Sequence, residues 1–80
     1  MMDERRIYKI IGQRVRAYRI ARQLTQEEIS EKLQMSRPSI TNIESGKHRI
    51  QIHILYEFAK LFDIPIQNLV VIASDVSDVS

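Results

Sequence analysis

The chain has 80 residues, 12 Lys and Arg against 10 Asp and Glu for a net charge of +2, and 44% hydrophobic residues; this describes one small domain with little room for an enclosed catalytic cavity. It has no cysteine, which excludes a disulfide scaffold, a Cys-ligated zinc site and thiol catalysis together. No apolar run approaches the roughly 20 residues that span a bilayer, and no charged-then-apolar signal opens the sequence, so the expected compartment is the cytoplasm.

A first helix is predicted from about Asp3 to Arg22, with Ile7, Ile11, Val15 and Tyr18 recurring at helical spacing. It holds Arg5, Arg6, Lys9, Arg14, Arg16, Arg19 and Arg22, while residues 50–80 are acidic on balance. A basic helix ahead of an acidic tail hints at a polyanion on one face. Thr25-Gln26-Glu27-Glu28 is a capping box and opens a second helix, Gln26 to Leu33. Ser36 caps a third, in which Pro38 loses no hydrogen bond because first-turn amides are unpaired anyway. Gly46 stops it. A fourth helix spans Ile52 to Phe62, with Ile52, Leu55, Phe58, Ala59 and Phe62 on its apolar side, and Pro65 opens a short fifth ending near Val71. Tyr8, Tyr18 and Tyr56 fall among core positions and read as packing. The fold class is all-α, a compact five-helix bundle over residues 1–72, followed by a small, polar, acidic tail at 73–80 that reads as disorder or a linker stub.

Helices two and three, joined by about three residues, make a helix-turn-helix candidate over residues 26–45, with 37–45 as its second helix. At about 100° per residue, Arg37, Pro38, Thr41, Asn42 and Ser45 share an outward arc of about 140°, opposite Ile40 and Ile43. Short Ser, Thr and Asn side chains are poor helix formers, and here they replace the long charged residues of an ordinary solvated face. Close approach to base edges is a reason for them: Arg pairs with guanine, Asn with adenine, and Thr or Pro meets a thymine methyl.

The run Gln26-Glu27-Glu28-Ile29-Ser30-Glu31-Lys32-Leu33-Gln34-Met35-Ser36, with Ile40, Glu44 and Gly46-Lys47 after it, resembles the phage-repressor/Cro (Xre-type) helix-turn-helix family. With Ile11-Gly12 through Arg19 ahead and Leu55, Ala59 and Leu69 behind, the likeness covers about residues 11–70. It implies a lambda-repressor-like domain that binds operator DNA, usually as a two-fold dimer. On that resemblance Arg37, Pro38, Thr41 and Asn42 take base-reading positions. Gln26, Ser36, Ser45, Lys47 and Arg49 take phosphate-contacting ones, Gln26 also bracing the start of the third helix. Arg19 and Glu44 match a pair that bridges the first helix to the end of the third.

The sequence departs from the family pattern at Gln34 and Gln23, where glycine is frequent, at Ser30, where alanine is common and whose hydroxyl is expected to bond back along its helix, and at Ile50-Gln51, which leaves the fourth helix poorly capped. His48 and His53 have poor metal-ligand spacing, and neither a nucleophile–base pair nor a phosphate loop appears. No cofactor, metal, membrane or enzymatic activity is therefore expected. The expectation is a homodimeric transcriptional repressor, cytoplasmic and nucleoid-associated when bound, reading a pseudo-palindromic double-stranded operator. The fifth helix, with Leu69, and the run Val70, Val71 and Ile72 are expected to form the dimer interface, because that apolar run of three has no evident partner within the chain. The rival is a protein-interaction module, such as an antitoxin subunit that neutralises a partner and autoregulates its operon.

Overall fold

The computed structural model describes residues 3–70. Among them are four α-helices, α1 (Glu4–Ala21), α2 (Gln26–Leu33), α3 (Arg37–Glu44) and α4 (Ile52–Phe62), followed by a 3-10 turn at Ile66–Asn68. No described residue lies in a strand, and no described helix is long and apolar enough to cross a membrane.

The first three helices each start at a side-chain cap. The Asp3 side chain accepts from the Arg5 amide at the head of α1. The Thr25 hydroxyl accepts from the Glu28 amide at 3.0 Å while the Glu28 carboxylate accepts from the Thr25 amide at 2.8 Å, the reciprocal capping box. Those bonds stabilise the ionised form of Glu28 and lower its pKa from the ordinary value, the backbone amide contributing most. Ser36 caps α3 through the Ser39 amide at 3.2 Å. Gln51 gives α4 no side-chain cap, as its sequence implied.

The expected fifth helix is, among the described residues, a single 3-10 turn, closed by the Asn68, Leu69 and Val70 amides on the Pro65 and Ile66 carbonyls, and the segment is also tied sideways to α1. Asn68 Nδ2 donates to the Tyr18 hydroxyl at 3.1 Å, and Arg14 Nη1 donates to the Val70 carbonyl at 2.6 Å. Leu69, fully buried, plugs the core between these two tethers.

Ile11 and Val15 of α1, Ile29 of α2, Ile40 and Ile43 of α3, and Leu55, Phe58, Ala59 and Phe62 of α4 form one core with Ile50 and Leu69. Burying each large side chain contributes about 1.5–3 kcal/mol. Phe62 stacks on both Phe58 and Tyr18, with centroids 5.9 and 5.8 Å apart. Tyr56 and Ile52, expected among the core positions, instead face outward at 58% and 62% exposure. They lie one turn apart on α4, just past the edge of the helix's buried stripe.

Candidate nucleic-acid interface

The α2–α3 connection is Gln34-Met35-Ser36. Gln34 closes α2 in the left-handed region at φ 54°, a conformation that costs a non-glycine residue about 1 kcal/mol or more. The Met35 amide returns to the Ser30 carbonyl at 3.0 Å. The Ser30 hydroxyl points forward to the Met35 carbonyl and not back along α2, so it fastens the turn from the other side.

Two glycines, the only two in the chain, set how closely α1 presses on the end of α3. A Cβ on Gly12 would stand 2.2 Å from the Ile43 carbonyl oxygen and 2.7 Å from that of Glu44. Gly46, at φ 78°, lies so near Lys9 that a Cβ would meet its Cα at 2.6 Å. A glycine in the middle of an otherwise strong helix was the available signal for this contact.

At the same seam Arg19 forks onto Glu44, Nε to Oε2 at 2.6 Å and Nη2 to Oε1 at 3.1 Å, while Nη1 donates to the Leu24 carbonyl at 2.9 Å. The Glu44 side chain is only 4% exposed and that of Arg19 14%. Gln26 joins this pair from α2: its Nε2 donates to Glu44 Oε1 at 3.1 Å, and its Oε1 accepts from the Thr41 hydroxyl at 3.0 Å. Gln26 therefore braces the middle and end of α3, not its start.

The outward side of α3 carries the rest. Arg37, Pro38, Thr41 and Ser45 are exposed and Asn42 is half-buried, while Ile40 and Ile43 are buried opposite. Ser36 shares a hydrogen bond with Ser39 at 2.8 Å, and the Ser45 hydroxyl donates to the Asn42 carbonyl at 3.1 Å. Lys47 is exposed just past the helix end. Arg49 makes an ion pair with Glu4 at 2.5 Å, a link between α1 and the α3–α4 loop that nothing in the sequence pattern announces. Both partners are solvent-exposed, so the pair is weak, about 0–1 kcal/mol, and exchangeable.

The basic excess of the first helix is partly internal. Arg14 and Arg22 donate to the Val70 and Phe62 carbonyls, and Arg22 also lies 5.3 Å over the Tyr18 ring. With Arg19 on Glu44, three of those cations serve packing. Of the four residues expected at a dimer interface, Leu69 is fully buried in its own chain and has no surface left for a second copy. Val70 is half-buried, and Val71 and Ile72 lie outside the described residues.

Two short helices across a fixed three-residue turn, the second braced from behind and polar in front, define a helix-turn-helix domain. Residues 15–69 match the helix-turn-helix family, and the chain belongs to that family of transcriptional regulators. It is 32% identical over 62 residues to an uncharacterised HTH-type transcriptional regulator of Methanocaldococcus jannaschii, covering 78% of this chain and 94% of that one. A second such regulator, from Archaeoglobus fulgidus, is 32% identical over 56 residues, 70% of this chain and 80% of the other. Among solved structures, the DNA-binding domain of BldD superposes with a TM-score of 0.76 at 25% identity, over 88% of this chain and all of that domain. The restriction-modification controller protein C.AhdI of Aeromonas hydrophila gives a TM-score of 0.73 at 26% identity, over 78% and 94%.

Proposed function

We propose that the protein is a sequence-specific double-stranded DNA-binding repressor that inserts α3 into the major groove. The observation that carries this reading is the α3 face itself: one arginine and a row of short polar side chains, exposed, on a helix locked from behind by Arg19, Glu44 and Gln26. Eight residues make a helix of about 12 Å, which suits a groove about 12 Å wide. Arg37, Pro38, Thr41 and Asn42 read bases. Gln26, Ser36, Ser45, Lys47 and Arg49 contact phosphates and fix the register. Arg49 exchanges Glu4 for the DNA backbone as it does so.

The protein acts as a homodimer, with two copies of α3 about 34 Å apart on a pseudo-palindromic site. Val70 and the segment after it, with the outward Ile52 and Tyr56, supply the apolar surface for the second copy. Sedimentation that finds only monomer at high micromolar concentration overturns the dimer.

Fluorescence anisotropy with the DNA upstream of its own gene and with a scrambled duplex, at two salt concentrations, tests the whole reading. At least hundredfold tighter binding to the upstream DNA is expected, abolished by Arg37→Ala with Asn42→Ala. Lys47→Ala should lower the salt slope by about one. Equal affinity for both duplexes, or specific binding that survives the double substitution, refutes the assignment.

A further inference from the structure

We propose that Thr41 is a pure hydrogen-bond acceptor toward DNA, and so selects a base presenting an exocyclic amino group, adenine N6 or cytosine N4, at the position it faces. This rests on the DNA-reading assignment above and adds a specificity rule to it.

The polarity comes from a chain of four side chains in which each link leaves the next no choice. The Arg19 guanidinium has only donors, and it meets both oxygens of Glu44. The Glu44 carboxylate has only acceptors, so the Gln26 group facing it at 3.1 Å must be the amide nitrogen. With the nitrogen turned to Glu44, the amide oxygen faces Thr41 at 3.0 Å, and an amide oxygen cannot donate. The single hydroxyl proton of Thr41 is thereby committed inward. What the exposed Thr41 hydroxyl offers outward is lone pairs.

Guanine O6 and thymine O4 are themselves acceptors, and against them Thr41 has nothing to give. An amino group satisfies it. Arg19, Glu44 and Gln26 are in this sense positioning residues: buried or half-buried, they set the sign of a contact made by their neighbour.

The experiment uses the full chain and the duplex it prefers, obtained by repeated selection from a random pool. At each base pair of that duplex one set of probes removes the amino group, with purine for adenine or pyrimidin-2-one for cytosine. A second set removes the carbonyl oxygen, with 5-methylpyrimidin-2-one for thymine or 2-aminopurine for guanine. Comparing the native chain with Thr41→Val on each probe cancels the pairing defect of the analogue. At one base pair, loss of the amino group should weaken the native chain about fivefold and leave Thr41→Val unchanged. Carbonyl loss there should affect both chains equally.

Gln26→Met supplies the second readout. It frees the hydroxyl to rotate, so inverting that base pair, which costs the native chain about fivefold, should cost this variant less than twofold. Coupling of Thr41→Val to the carbonyl probes, or to neither set, overturns the polarity rule while leaving DNA reading intact. A pool that yields no preferred duplex, or one that Arg37→Ala with Asn42→Ala binds equally well, overturns the reading assignment beneath it.

Discussion

Replacing Arg19 by methionine keeps most of the side chain's packing volume but removes three donors at once: two to Glu44 and one to the Leu24 carbonyl. Glu44, its side chain 4% exposed, is left as a buried carboxylate with the Gln26 amide as its one remaining donor. Breaking a buried pair from one side costs about 3–5 kcal/mol. A domain of this size has roughly 4–12 kcal/mol of stability in total, and each kcal/mol moves its Tm by about 4–8 °C. Arg19→Met should therefore lower Tm by on the order of 20 °C. Removing the charge as well reverses most of this. Arg19→Met combined with Glu44→Leu should lie within about 1.5 kcal/mol of the native chain, because the penalty belongs to the uncompensated carboxylate more than to the pair. Urea unfolding of the native chain, both single variants and the double, followed by helical circular dichroism, measures the cycle. A double variant as unstable as Arg19→Met alone would refute the reasoning and assign the loss to packing.

Gly12→Ala should destabilise by about 2–3 kcal/mol in the same urea assay, since the new Cβ meets the backbone oxygen of Ile43 at 2.2 Å and a carbonyl has little room to retreat; an unchanged or raised midpoint, as helix propensity alone would give, contradicts the close approach. Gln34→Gly should stabilise by about 0.5–1 kcal/mol, relief of the left-handed strain at φ 54° outweighing the added freedom of the unfolded chain; a lower Tm would mean that the Gln34 side chain has a compensating role. Glu28 has its pKa lowered in the folded chain, so its contribution is present above the ordinary glutamate value and is lost as pH falls through the lowered one. Thermal melts from neutral to acid pH should show native and Glu28→Gln chains converging as Glu28 protonates, and parallel curves would remove the capping box from the acid response.

The helix limits were legible because they are set by chemistry within four residues. Asp3, Thr25 and Ser36 each cap through their own side chain, α2 begins where its cap places it, and α4, without a side-chain cap, lies where its apolar periodicity places it. The left-handed Gln34 falls where the family it resembles frequently has glycine. What escaped was set at long range. The segment of the expected fifth helix is fastened to α1 by Arg14, 56 residues earlier, which donates to the Val70 carbonyl. Leu69 was expected at a dimer interface, yet it fills a core assembled from all four helices. Ile52 and Tyr56 fit the helical period but lie beyond the edge of the stripe that the other helices cover. Gln26 was legible as a residue near α3, but its two partners, 15 and 18 residues on, depend on how α2 and α3 cross.

That crossing also explains why the burden of holding α3 falls on α1. The turn fixes only the N-terminal end of α3, and an eight-residue helix is too short to be stable alone. Its other end is closed by the amides of Ser45, Gly46 and Lys47 on the Thr41, Ile43 and Asn42 carbonyls, but has no basic residue in its last turn to meet the helix dipole. Glu44 adds a negative charge in that last turn, and Arg19 neutralises it from a neighbouring helix, where the pair is shielded from solvent. The Gly12 and Gly46 contacts bring α1 close enough for it to reach. A cation placed on α3 itself would stand on or beside the proposed reading face and change its chemistry. Placed behind, it steadies the helix end and, through Gln26, leaves Thr41 oriented without occupying the surface proposed to face the groove.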